Sequence, residues 1–137
     1  MQEMPTDPRR AIFTLRIIWL ALILGQGIFF VVAVAQRGQL TGKGSEMLPY
    51  IALALAAAMM PIGGFLRRMS LERGKREMHP MQGLAKGTIL FLACCEGPSF
   101  FASVSILITG RLTPAMWVPA VATALMLIVF PSEEQLV

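Results

Sequence analysis

Residues 87–110 read GTILFLACCEGPSFFASVSILITG, an apolar run carrying a single charged side chain, Glu96. A helix needs about 20 residues to cross roughly 30 Å of hydrocarbon. In lipid only a helix satisfies its own backbone polar groups within one segment. The run therefore predicts a membrane-spanning helix. Three further runs of the same character lie at 17–35, 47–66 and 113–130. Together they predict an all-α integral membrane four-helix bundle, a single membrane domain over 1–137. Its connectors are Gln36–Glu46, a basic loop over 67–86, and the very short Arg111-Leu112. Short connectors make neighbours antiparallel, so two helical hairpins are expected.

Composition agrees with a bilayer as solvent. Of the 137 residues, 55% are hydrophobic and 15% are charged. A water-soluble domain of that size cannot bury so much apolar surface. The net charge of +4 does not indicate nucleic acid, because the basic residues gather in connectors rather than over a folded face. Their distribution sets an orientation instead. Arg9, Arg10, Arg16, Arg67, Arg68, Arg73, Lys75, Arg76 and Lys86 fall on one side; Arg37, Lys43 and Arg111 fall on the other. Positive charge marks the inner face, so both termini and the 67–86 loop are expected in the cytoplasm of a bacterial inner membrane. Arg9-Arg10, the following apolar run and Ala33-Val34-Ala35 also have the outline of a cleavable signal. The run is longer than the usual 7–15 residue signal core, which favours a retained helix, and a twin-arginine signal is matched by the Arg pair alone.

A shift of 70 positions aligns the first and third runs without a gap. Arg16 meets Lys86, Gln26 meets Glu96, Gly27 meets Gly97, Phe30 meets Phe100 and Val34 meets Val104. Runs two and four share little beyond an early proline, Pro49 and Pro114. One reading is a duplicated hairpin, its halves related by an axis along the membrane normal with a site between them. The other is coincidence between two Leu-rich helices.

Glu96 is the one acidic residue outside tails and connectors. It lies ten residues past Lys86, about 15 Å along a helix and so close to the midplane. A carboxylate there is costly unless it faces protein or water. Thr88, Ser99 and Ser103 share its side of the helix, and small hydroxylated residues mark contacts between membrane helices. Pro98 withholds the amide that would bond the Cys94 carbonyl and is expected to kink the helix. Two readings follow. In the first, Glu96, Gln26, Ser99 and Cys94 form a proton or cation site. In the second, a protonated Glu96 bonds Gln26 or the freed carbonyl and fixes helix register.

No nucleotide loop, metal cluster or nucleophile–base pair is visible, so no catalytic residue, metal or cofactor is expected. His79 reads as a solvated loop residue. Cys94 and Cys95 read as small apolar residues, and Trp19 and Trp117 as interfacial anchors. Ala56-Ala57-Ala58 suits a packed interior, with Met59 and Met60 as gap-fillers. Pro61 and Pro119 are expected to bend their helices. The 67–76 stretch could draw anionic lipid.

The segment Ala93-Cys94-Cys95-Glu96-Gly97-Pro98 and the ending Phe130-Pro131-Ser132-Glu133 resemble an uncharacterised family of small four-helix bacterial inner-membrane proteins. In that family a Glu-Gly-Pro-type step sits in helix three and a Pro-Ser/Thr tail follows helix four. Two cysteines stand here where the family tends to have leucine. The resemblance implies the fold and no activity. Duplicated hairpins with Glu in one and Gln in the other are similar, more loosely, to the proteolipid subunits of rotary ATPases. There the carboxyl lies on the second helix of a hairpin, whereas Glu96 is on the first, and their Gly-repeat helix is missing. Small four-helix multidrug exporters are similar in size, with their key Glu in helix one. The expected role is an accessory or assembly component of the membrane, alone as a homo-oligomer or in a larger complex. The alternative is a proton- or cation-coupled carrier or rotor-type subunit using Glu96. The lipid bilayer is expected as a partner, and nucleic acid is not.

Overall fold

The computed structural model describes residues 7–37 and 46–136. The glycine-rich connector with Gly38, Gly42, Gly44, Ser45 and Lys43 lies outside the described residues. Four α-helices follow in order: α1 (Pro8–Ala35), α2 (Leu48–Arg76), α3 (Pro80–Thr109) and α4 (Trp117–Ile128). A 3-10 turn, Glu133–Leu136, follows them. Helices α1, α2 and α3 are long and apolar enough to cross a membrane. The expected all-helical bundle of four helices is thus present among the described residues, three of them long and apolar enough to span a membrane.

The helix boundaries differ from the sequence expectation in three places. Helix α1 begins nine residues before the apolar run, because Asp7 caps it through Arg9 N–H at 3.1 Å and Pro8 supplies a pre-set φ. The expected loop over 67–86 is mostly helix: α2 continues to Arg76, and α3 begins at Pro80. Charged residues end an apolar run without ending a helix. Arg68–Glu72 and Arg73–Glu77 pair one turn apart along this extension, at 3.1 and 3.4 Å, and contribute little because they are exposed. Helix α4 has 12 residues, about 18 Å and so shorter than the hydrocarbon. Residues 113–116 form a turn, and the helix begins only at Trp117.

The turn between α2 and α3 is three residues, Glu77 to His79. The amide of His79 reaches back to the carbonyl of Gly74 at 2.9 Å, and Met78 sits at φ 58°. This is a Schellman ending in which Met78 occupies the left-handed position that glycine normally takes. A side chain there costs about 1 kcal/mol, and Met78 is 88% exposed, so it gains nothing by packing. Met78→Gly is expected to raise stability by up to about 1 kcal/mol, read as a higher unfolding midpoint in detergent. An unchanged or lower midpoint would refute the assignment. At the far end of α3, Gly110 at φ 70° closes the helix by the same conformation, donating to Ile106 O at 2.9 Å.

Packing centres on α3, which contacts each of the other three helices. Helix α2 lies against it through a seam of small residues. A Cβ built on Gly74 would stand 2.8 Å from Gly83 Cα, and one on Gly83 would stand 2.6 Å from Ser70 O. One on Gly87 would meet Arg67 O at 3.0 Å, and one on Gly63 would meet Cys94 Cβ at 2.7 Å. The backbones approach this closely because these positions lack side chains. Hence the tight hairpin is α2 with α3. Helices α1 and α2, expected as a hairpin, make no substantial contact.

Beyond the seam, Ala52, Ala56 and Met60 of α2, Leu92, Cys95 and Ile106 of α3, and Val118, Ala122 and Met126 of α4 form one buried core. Of the alanine run, Ala56 faces this core, while Ala57 and Ala58 face outward. Helix α3 runs through Pro98, and α2 through Pro61, without interruption.

Helix α1 is the least buried span. It is held mainly by α3 and α4. Arg16, Trp19 and Gln26 reach Pro131, Met126 and Pro119 in turn, so α1 and α4 are antiparallel. Arg67, beside Gly87 at the start of α3, donates to Gln135 Oε1 at 3.0 Å. The start of α1, the α2–α3 turn and the end of α4 therefore share one end of the bundle. That end holds most of the arginines and lysines.

Candidate functional site

The four residues expected to form a polar site lie on adjacent elements at similar depth but point three ways. Glu96 is half-buried on the flank of α3. One turn further along the same flank, Phe100 meets Phe29 of α1, with ring centroids 4.9 Å apart. That pair sets α1 and α3 side by side in nearly the register of the 70-residue shift. The Glu96 carboxylate has no hydrogen bond to another described residue.

Gln26 does not serve Glu96. It is buried, at 2% exposure, and it turns to α4. Its Nε2 donates to Thr123 Oγ1 at 3.1 Å and to Pro119 O at 3.4 Å. Its Oε1 is buried without a hydrogen-bond partner among the described residues. The expectation of a Gln26–Glu96 pair is corrected by this geometry: matching depth on parallel helices does not fix the direction in which each side chain leaves its helix.

Ser99 is fully buried. Its Oγ has no partner among the described residues, while its carbonyl accepts from Ser103 Oγ at 3.1 Å. Such back-bonding serves the helix itself. Cys94 points the opposite way, into the α2 seam over Gly63, where its small size is what matters. The set Glu96, Gln26, Ser99 and Cys94 is therefore not gathered around one point. Among the described residues no group of three His, Cys, Asp or Glu side chains could hold a metal ion. His79 is exposed in the turn between α2 and α3.

Two clusters escaped the sequence reading. The first is the pairing of Gln26 with α4. Thr123 is one of two hydroxyl residues in the fourth apolar run, and it was the available signal. The second joins the end of the chain to α1. Trp19 Nε1 donates to Met126 O at 2.7 Å, satisfying a carbonyl that the last turn of α4 leaves open. Its ring meets Phe130 edge-on at 5.0 Å. Arg16 stacks its guanidinium over Phe130 at 5.0 Å and donates to Pro131 O at 3.1 Å. Trp19 is thus an internal clasp rather than an interfacial anchor, whereas Trp117 is exposed.

Comparison of the chain with protein-family models, with curated proteins and with solved structures gave no match.

Proposed function

We propose that this protein is an accessory or assembly component of a bacterial inner membrane, docking on itself or on a larger complex through the flank of α3 that carries Glu96. The supporting observation is Glu96 itself: a half-buried side chain at mid-span with no hydrogen bond to a described residue. Leaving such a group against lipid is costly, and a neighbouring chain offering a donor removes that cost. Gly97, beside it, and Gly25 and Gly27 on α1 have no atom within 4 Å of a Cβ built on them. Their backbones are open to close approach by another helix. In this reading α4, with the turn before it and the tail after it, makes the fourth crossing. The arginine-rich end is cytoplasmic, with both termini there.

A proton- or cation-coupled carrier, or a rotor-type subunit, is the second reading, favoured by the mid-span carboxyl. It is weakened by Gln26, Ser99 and Cys94 turning away from Glu96. The family resemblance favours neither reading.

Cysteine placed at position 97 separates these readings. In native membranes Gly97→Cys is expected to cross-link to a second copy or to a fixed partner. Adding Glu96→Ala is expected to weaken that product about threefold, the worth of an average hydrogen bond between membrane helices. Glu96→Gln should preserve it. A monomer at every concentration with no partner recovered would overturn the assembly reading. Carbodiimide labelling of Glu96 that fades as pH rises, with Glu96→Gln abolishing a proton-linked phenotype, would install the carrier reading instead.

A further inference from the structure

Along one side of the α2–α3 hairpin, near the turn, runs a groove of about 350 Å³. Leu66, Met69 and Arg73 of α2 line it together with Lys86 and Leu90 of α3. The register of the hairpin fixes their levels. A Cβ on Gly74 would stand 2.8 Å from Gly83 Cα, and one on Gly87 would stand 3.2 Å from Ser70 Cβ. On that register Leu66 and Leu90 share a level, and Arg73 lies within about 3 Å of the level of Lys86. The groove is thus apolar at one end and basic in its middle. Glu77 and His79 border it at the turn.

Depth puts the two ends in different media. With Glu96 at the midplane, Lys86 is ten residues away, about 15 Å along the axis, and the level of Arg73 is roughly 3 Å further out. Half the hydrocarbon thickness is about 15 Å, and headgroups extend roughly 5–8 Å beyond it. Leu66 and Leu90 therefore sit among acyl chains, and the two cations sit at the level of lipid phosphates. The charges of the groove do not cancel. Arg73 meets Glu77 through Nε at 3.4 Å, while Lys86 has no ion-pair partner among the described residues. With His79 neutral, two cations stand against one carboxylate, which leaves one positive charge. Arg73 and Lys86 are both exposed, so an anion reaches them without rearrangement.

We infer that this groove binds one anionic phospholipid of the leaflet at the arginine-rich end, its phosphate between Arg73 and Lys86 and an acyl chain against Leu66, Met69 and Leu90. A phosphodiester matches the single net charge, and its oxygens accept from both cations at once. The apolar end selects a lipid over a soluble phosphate, because only the lipid brings a chain to cover Leu66 and Leu90. This is narrower than the general attraction expected of the 67–76 stretch, since Arg68 and Arg76 carry the same charge and do not line the groove. The inference rests on the bilayer placement given above and not on assembly through Glu96.

The test uses the full chain in phosphatidylcholine nanodiscs, with a photoreactive phosphatidylglycerol carrying a diazirine on its acyl chain as probe. Label is expected on Leu66, Met69 and Leu90. Unlabelled phosphatidylglycerol should displace it, and glycerol phosphate in the bath should not. Lys86→Gln should raise the probe fraction needed for half-labelling about fivefold, the worth of one basic residue near a charged surface. Arg73→Gln should raise it at least as much, because Glu77 is left unpaired. Glu77→Gln should lower it, a gain that no loss of folding can mimic. Arg68→Gln removes the same charge from the same helix outside the groove. It should stay within about twofold of the parent, because a screened charge at a distance contributes less. An equal shift in Arg68→Gln and Lys86→Gln would overturn the inference and leave only diffuse attraction. So would displacement by glycerol phosphate, or label spread evenly around the three long helices. Cross-linking at position 97 reports the assembly reading separately, so either can fail alone.

Discussion

Gly83→Leu is expected to force α2 and α3 apart and to lower stability by more than about 3 kcal/mol. A Cβ at this position would lie 2.6 Å from the carbonyl oxygen of Ser70 and 2.9 Å from Gly74 Cα. Both are backbone atoms, so no rotamer change relieves the contact. Intrinsic helix propensity pulls the other way, since replacing a helical glycine gains up to about 1 kcal/mol. Overpacking alone typically costs about 1–3 kcal/mol. Here the separation of the helices also unseats Gly74 and Gly87 on either side, so the steric term decides the sign. Gly97→Leu is the matched control: the same chemistry on the same helix, with nothing within 4 Å of the added Cβ. Thermal unfolding in detergent, followed by circular dichroism, should show Gly83→Leu far below the parent and Gly97→Leu close to it. Similar midpoints for both variants would remove the glycine seam as the basis of the hairpin.

Trp19→Ala is expected to cost about 3–5 kcal/mol and to release α4 from α1. Three losses coincide. The Met126 carbonyl loses its donor at 2.7 Å, the edge-on contact with Phe130 disappears, and a large side chain leaves a void. Trp19→Phe restores most of the volume and the ring contact but not the donor. It should recover all but about 1 kcal/mol, the net worth of the bond. With a 12-residue α4, few other polar contacts hold this pair, so protease sensitivity near Arg111 should rise sharply in Trp19→Ala. A Trp19→Ala protein that melts with the parent would show that α4 is held by the α3 core alone.

The spans were legible because the physics that selects them is one-dimensional: apolar length read along the chain. The end at which the basic residues collect was legible for the same reason. What hydropathy could not separate was charge from helix termination. Residues 67–76 look like a connector because they are polar, yet they carry no proline before the turn, and Gly74 continues the packing stripe of α2. Gly83 and Gly87, four apart at the start of α3, were the overlooked signal. For the candidate site, depth was readable and azimuth was not. Gln26 and Glu96 do share a level, as the Phe29–Phe100 contact requires. Which neighbour each side chain meets depends on how three helices are rotated about their axes, and no periodicity within α1 alone records where α4 stands.

Helices of 28, 29 and 30 residues measure about 42–45 Å, against a hydrocarbon slab of roughly 30 Å. The surplus of α1, α2 and α3 lies at the arginine-rich end, where two of the three are locked by the glycine seam and a three-residue turn. The charge at that end is accordingly mounted on rigid posts rather than tethered to a coil. Its stand-off from the bilayer, on the order of 13 Å if the surplus all lies on that side, is set by the rise of a helix and does not fluctuate with chain entropy. A macromolecule approaching from that side would find the positive groups at a fixed height and spacing, a gauge rather than a brush.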